Sequence, residues 1–232
     1  PGGPAADRVV TAGFRCSSAS RELPEPLEGT ASTVRSFLLV EHAGPWGAQA
    51  LHDARIDEEV KRLLRSLEPV SGIRPLLIRR HRGAPRDGVR VFAAHVGPAR
   101  PWLEGAHLGD VRELLDLDLR PLGEARSLGL APQERPVQLV CTHGRHDRCC
   151  AELGRPLAAA MSTESPEQTW EVSHIGGDRF APNVLVLPHG LYYGRLSASD
   201  AAAFVSGHRS GLLDLERLRG RSAYPLAIQA AE

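Results

Sequence analysis

Residues 137–150 read Val137-Gln138-Leu139-Val140-Cys141-Thr142-His143-Gly144-Arg145-His146-Asp147-Arg148-Cys149-Cys150. The first five form a short apolar run, the signature of a buried strand. A polar loop containing Gly144 follows, and Cys149 opens a stretch with helical character, expected over 149–161. One thiol therefore ends a strand and another opens a helix, so both converge at the strand's carboxyl edge. The unpaired N–H groups and the dipole of a helix start stabilise a thiolate there. Cys149 and Cys150 are adjacent and point in different directions, so only one of them faces the loop interior.

Downstream, 169–174 is a strand candidate that leads into Ser173-His174-Ile175-Gly176-Gly177-Asp178-Arg179-Phe180. Here a histidine ends a strand, two glycines permit a tight or positive-φ turn, and a carboxylate follows four residues later. Residues 183–187 and 191–196 read as a hairpin around His189-Gly190. A further helix is expected over 199–206, with Ser199 as its N-cap.

Upstream the order is similar. Residues 34–40 form an apolar strand that ends in the turn Gly44-Pro45-Trp46-Gly47. Val60, Leu63, Leu64 and Leu67 predict a helix over 57–67. Residues 74–80 and 89–96 are strands separated by a Gly/Pro loop, and 109–116 is a short helix. Leu119 to Pro136 is a polar, proline-bearing connection and the expected boundary. Both halves read strand, loop, helix, strand, strand, helix. Val40-Glu41-His42-Ala43-Gly44 also rhymes with Val140-Cys141-Thr142-His143-Gly144. The expected organisation is an irregular segment at 1–33, a scaffold half at 34–120 and a metal-bearing half at 134–232.

The bulk numbers bound the function. The chain has 232 residues and 42% hydrophobic content, enough for a true core. Its 28 basic residues balance 28 acidic ones, so no net field favours nucleic acid or an anionic membrane. Lys61 is the single lysine, and arginines supply the remaining positive charge. No apolar run reaches the roughly 20 residues that span a bilayer. Pro1 to Asp7 lacks the pattern of a signal peptide, so the expected location is cytoplasmic. Of four cysteines, Cys141, Cys149 and Cys150 fall within ten residues, which points to metal binding or redox chemistry.

Cys141, Cys150, His174 and Asp178 together suit several metals. Zinc accepts all these donor types, but its paired cysteines usually stand two to four residues apart. Cys141 and Cys150 are wider spaced, which suits a larger object such as a binuclear iron cluster, where imidazole can replace thiolate on one iron. Spacing leaves zinc and iron both open.

The same residues resemble the sucrase/ferredoxin-like family. The resemblance rests on Cys141-Thr-His-Gly-Arg, Asp147-Arg148, Cys150, His174-x-Gly-Gly and Phe180-Ala181-x-Asn183. It continues through Leu187-Pro188-x-Gly190 and Tyr193-Gly194. Towards the N-terminus it takes in Cys16-Ser17, Glu25-Pro26-Leu27-x-Gly29-Thr30-Ala31 and Glu41-x-x-Gly44-Pro45-Trp46-Gly47. It implies an α/β (α+β) protein of two thioredoxin-like halves, the second a thioredoxin-like ferredoxin with a [2Fe–2S] cluster. The family pattern implies ligands at Cys141, Cys150, His174 and position 178, where a second histidine is expected. This chain has Asp178 there. The fourth ligand is then Asp178 or, as the softer donor, Cys16, with His143 and Cys149 less favoured because they are tied to the first loop.

An anionic fourth ligand implies a potential below that of a bis-histidine centre. Arg145, Arg148 and Arg179 stand nearby, either to offset cluster charge and dock an acidic redox partner protein or as solvated surface residues. The implied function is electron transfer rather than catalysis. "Sucrase" implies no sugar chemistry, and no paired carboxylates stand at glycosidase-like positions. Two alternatives are a thiol oxidoreductase, disfavoured by the absence of Cys-x-x-Cys, and a zinc-stabilised binding module.

Overall fold

The computed structural model describes residues 14–23, 25–82 and 87–232. The polar N-terminal stretch at Pro1 to Asp7 and the centre of the Gly/Pro loop near residue 85 lie outside the described residues. Helices and strands follow in the order α1 (Cys16–Glu22), β1 (Ser36–Glu41), α2 (Ala50–Asp53), α3 (Glu58–Ser71), β2 (Ile73–Arg79) and β3 (Val89–His95). Next come β4 (Trp102–Leu108), α4 (Arg120–Gly123), β5 (Ala131–Pro132), β6 (Val137–Cys141), α5 (Arg148–Glu164) and β7 (Thr169–Val172). The chain continues with β8 (Val184–Leu187), β9 (Leu191–Tyr193), α6 (Ala201–Arg209), β10 (Leu218–Arg221) and α7 (Leu226–Gln229).

The ten strands of the described residues form one sheet in the order β10-β9-β8-β6-β7-β2-β1-β3-β4-β5. β1 runs parallel to β2, and β6 runs parallel to β7. β2 and β7 meet antiparallel through Ile78–Val172 and Arg79–Glu171. Strands buried on both faces read as continuous apolar runs, which explains Phe37-Leu38-Leu39-Val40 and Val137-Gln138-Leu139-Val140. Alternate residues serve different cores. Leu38 and Val40 pack with Val60 and Leu64 of α3, whereas Val140 packs with Leu157 of α5 and Phe204 of α6. Phe37, Leu39, Leu139 and Trp170 share a third core with Cys141, Cys149 and Cys150. The sheet is thus covered by helices on one side in each half and encloses a common core on the other.

Caps explain where the longer helices stop and start. Asp57 accepts the Glu59 and Val60 N–H groups at the head of α3. Gly72 closes the same helix at φ +66°, a left-handed conformation that favours glycine. This helix runs past the expected 57–67 to Ser71, with Pro69 near its C-terminal end.

Three expectations are corrected. The segment 1–33 is not irregular throughout, since it contains α1. That helix has no apolar stripe to announce it; it docks through small residues, burying Ser17 and Ser20. Ser20 donates to Glu25 at 2.8 Å, and Arg195 reaches the Ser20 carbonyl at 2.9 Å. Ser199 is not an N-cap. Ser197 and Asp200 form a capping box one turn earlier, and α6 begins at Ala201. The connection before β6 is structured: it carries α4 and β5, and β4 precedes it. β4 lacks a clean alternation because Glu104 is buried among polar partners, accepting the Leu128 and Leu130 N–H groups at 3.1 and 3.3 Å. No helix among the described residues is long and apolar enough to cross a membrane.

Candidate metal centre

Cys141 is the last residue of β6, a central strand between β7 and β8. The loop behind it is pinned at each step. Thr142 donates to the buried Glu171 carboxylate at 2.7 Å, and Arg79 and His81 hold the same carboxylate. His143 accepts the His174 backbone N–H on Nδ1 at 3.2 Å, so its Nε2 carries the proton and donates to the Gly47 carbonyl at 2.9 Å. Burial, aided by the neighbouring His146, His174 and Arg79, outweighs that carbonyl and holds His143 below its ordinary pKa, consistent with this neutral tautomer. Both its nitrogens are therefore committed to positioning rather than free for a metal. Asp147 caps α5 by accepting the Cys149 N–H at 2.7 Å. Gly154, one turn and a half into α5, faces the Cys141 carbonyl so closely that a Cβ there would collide with it.

The turn that carries His174 is built from behind. Gly176 and Gly177 have φ of +91° and +81°. The Arg219 guanidinium lies against Gly177, where a side chain would collide with it. Arg219 is 2% exposed. It donates to the Gly176 carbonyl at 3.0 Å and to Asn183 Oδ1 at 2.9 Å, while Asn183 returns a bond to the Gly177 carbonyl at 2.8 Å. Among the described residues no carboxylate forms an ion pair with Arg219. Burial lowers its pKa to about 10.

This scaffold brings Cys141, Cys150, His174 and Asp178 together. Cys150 Sγ donates to Asp178 Oδ1 at 3.2 Å, and the same oxygen lies 3.0 Å from His174 Nδ1. The second contact lacks hydrogen-bond alignment, so His174 Nδ1 is a buried nitrogen with no hydrogen-bond partner among the described residues. The electrostatics are those of a prepared thiolate. The neighbouring Cys150 thiol outweighs burial and, with the His174 ring beside it, holds Cys141 below its ordinary pKa. Cys141, burial and Asp178 together push Cys150 up. Burial opposes the His174 cation, but Asp178 and Cys141 outweigh it and push the ring up to about 9. His174 likewise outweighs the effect of burial on Asp178 and holds it below the usual carboxylate range. Cys150 Sγ, His174 Nδ1 and Asp178 Oδ1 thus face one another, with Cys141 next to Cys150 and His174, and donors of these types suit a soft or borderline metal.

Cys16 stands elsewhere. Its sulfur is 3.8 Å from Cys149 Sγ and 3.4 Å from Asp147 Oδ2. Cys149 and Cys150 face different neighbours, as their adjacency on a helix predicts. Sequence reasoning passed over His146. Its ring stacks on His174 with centroids 3.8 Å apart, and its Nε2 is 3.6 Å from Asp178 Oδ2. His146, His174 and Asp178 form one group spaced to hold a metal, and Cys16, Asp147 and Cys149 form another. The only sequence signal for His146 was its place in the loop between the two cysteines. Arg148 and Arg179 are taken by Glu152 and Glu25, so neither brings an unpaired charge to the site. A cleft of about 470 Å³, lined by His143, His146, His174 and Gln49, opens beside the centre.

A family model described as sucrase/ferredoxin-like matches residues 27–220. The chain belongs to the sucrase/ferredoxin-like family. The family match takes in all four converging donors, His146 and Arg219, and leaves Cys16 outside. No curated protein sequence matches the chain. Among solved structures, a thioredoxin-like [2Fe–2S] ferredoxin from Aquifex aeolicus is 19% identical, covering 40% of this sucrase/ferredoxin-like chain and 97% of its own, with a TM-score of 0.35. A second structure of the wild-type Aquifex aeolicus ferredoxin is 20% identical, covering 37% and 97%, with a TM-score of 0.32.

Proposed function

We propose that this chain is an electron-transfer protein carrying a [2Fe–2S] cluster held by Cys141, Cys150, His174 and Asp178. The observation that carries the reading is the contact of Asp178 Oδ1 with both Cys150 and His174, with Cys141 at the strand end beside them. A bound [2Fe–2S] cluster supplies a one-electron couple. The chain's residues supply the rest. Cys141 and Cys150 offer thiolates from a rigid strand end and helix start. His143 and Arg219 fix the turn that presents His174. The buried Arg219 cation, which lacks a carboxylate partner among the described residues, offsets the negative charge of thiolate and carboxylate ligands. The cleft at His146 and His174 gives a redox partner protein access to the imidazole side of the centre.

The same reading takes the protein as two thioredoxin-like halves, 34–120 and 134–232. Its support is the repeated strand order, β2-β1-β3-β4-β5 against β7-β6-β8-β9-β10, with Glu41 and Cys141 closing equivalent strands. The first half lacks the cysteines and buttresses the second. Its Gly47 carbonyl receives His143, and the Trp46 ring packs edge-on against that histidine at 5.8 Å. A cytoplasmic location accords with four free cysteines.

Iron and acid-labile sulfide analysis tests the assignment. Two of each per chain, with a visible spectrum that bleaches on reduction, is the expected result. Zinc with no sulfide would replace it with a zinc-stabilised module, and stoichiometric dithiol activity in iron-free protein would replace it with a thiol oxidoreductase.

A further inference from the structure

We propose that Cys16, Asp147 and Cys149 form a second metal site, for one zinc ion, which staples α1 to the start of α5. The spacing of the three donors carries the argument. Cys16 Sγ lies 3.8 Å from Cys149 Sγ and 3.4 Å from Asp147 Oδ2. A tetrahedral zinc ion with bonds of about 2.3 Å to sulfur and about 2.1 Å to oxygen has a sulfur–sulfur edge of about 3.8 Å and a sulfur–oxygen edge of about 3.6 Å. The two edges from Cys16 are thus close to those lengths, and all three donor atoms lie within 4.8 Å of one another.

The surroundings select this use. Asp147 Oδ1 accepts the Cys149 N–H at 2.7 Å, which orients the carboxylate and leaves Oδ2 turned towards Cys16. Such outer hydrogen bonds are the usual means of aiming a metal ligand. The neighbouring Arg15 guanidinium is bound by Glu152 through two contacts of 2.9 and 3.0 Å. No ion pair to Asp147 is found among the described residues. Cys149 is 3% exposed, whereas Cys16 is half-buried, so an ion enters from the Cys16 side and water completes the fourth position. Thiolate ligands favour zinc over magnesium or calcium. Binding sends the two thiol protons to solvent and requires no oxidant. Successive residues of a helix project about 100° apart, so Cys149 serves this site while Cys150 faces Asp178.

The test uses the full chain, kept reduced, titrated with Zn²⁺ against a chromophoric chelator and examined by X-ray absorption at the zinc edge. The expected result is one zinc per chain with two sulfur neighbours at about 2.3 Å. Cys16→Ala and Cys149→Ser are expected to weaken zinc binding at least about 100-fold, and Asp147→Asn at least about 10-fold, with circular dichroism and iron content unchanged. Uptake of no zinc by the wild-type chain overturns the proposal. So does zinc that survives Cys16→Ala but is lost from a Cys141→Ser/Cys150→Ser variant, and so does loss of iron from Cys16→Ala. The zinc edge is read independently of iron, so a chain without a cluster would sink the electron-transfer reading and leave this one standing.

Discussion

Cys150 Sγ donates a hydrogen bond to Asp178 Oδ1 at 3.2 Å, across 28 residues of sequence. The contact holds the carboxylate beside both Cys150 and His174, and under the proposed ligand set the charge at position 178 is the most informative variable.

Under the proposed ligand set, Asp178→His replaces an anionic ligand with a neutral one. The variant is expected to keep its cluster and show a higher reduction potential than the wild type, read by redox titration of the visible spectrum. Asp178→Ala removes the donor, and its iron content should fall well below two per chain. Full cluster content at an unchanged potential in Asp178→Ala would remove Asp178 from the ligand set and point to His146, which stacks on His174.

Gly154→Ala forces a methyl group into the Cys141 carbonyl. The strand end and the helix must separate, at an expected cost of roughly 1–3 kcal/mol in chemical denaturation. Iron loading should fall with it, because the same shift parts Cys141 from Cys150. A neutral effect on both measurements would show that α5 can slide without penalty.

Arg219→Met orphans the Thr30 and Gly176 carbonyls and Asn183 Oδ1, all of which it now satisfies. The expected destabilisation is roughly 2–4 kcal/mol. The cluster potential should also drop as a buried positive charge leaves. Arg219→Lys keeps the charge but loses the fork. It should share the loss of stability while holding the potential near the wild-type value, which separates the electrostatic role from the structural one.

His208 gives the second half an acid sensitivity. Burial, with His189 adding to it and Asp214 opposing, lowers its pKa from 6.5 to about 4. The unfolded chain therefore takes up this proton before the folded chain does. Stability is intact above about pH 6.5 and falls as pH drops towards 4, by on the order of 2 kcal/mol after allowance for partial solvent exposure. His208→Gln should flatten that part of the stability profile in denaturant melts between pH 7 and 4. An unchanged slope would assign the acid sensitivity to another group.

Local rules made much of this protein legible. Apolar runs marked β1 and β6, helical spacing marked α3, and the run from Cys141 to Cys150 reads as strand, loop and helix start without reference to any other part of the chain. Those features depend on neighbours a few residues away. Sequence also marked His174 and the Gly176-Gly177 turn, since paired glycines signal a backbone that other residues resist. It missed α1 and β4, whose burial rests on small or polar side chains matched to distant partners: Ser20 with Arg195, and Glu104 with the Leu128 and Leu130 amides.

The grouping of the thiols was a different kind of question. Composition and motif left Asp178 and Cys16 both open as partners of Cys141, Cys150 and His174, because each lies far from the cysteine loop in sequence. Helix rotation separates Cys149 from Cys150, but only the docking of α1 on one side of α5 and of the Gly-Gly turn on the other decides which group each thiol meets. That docking depends on contacts between segments more than a hundred residues apart, such as Arg15 with Glu152 and Arg219 with Thr30. No local pattern encodes such contacts; the fold creates them by docking Arg15 against Glu152 of α5 and Arg219 of β10 against Thr30 and the Gly176-Gly177 turn.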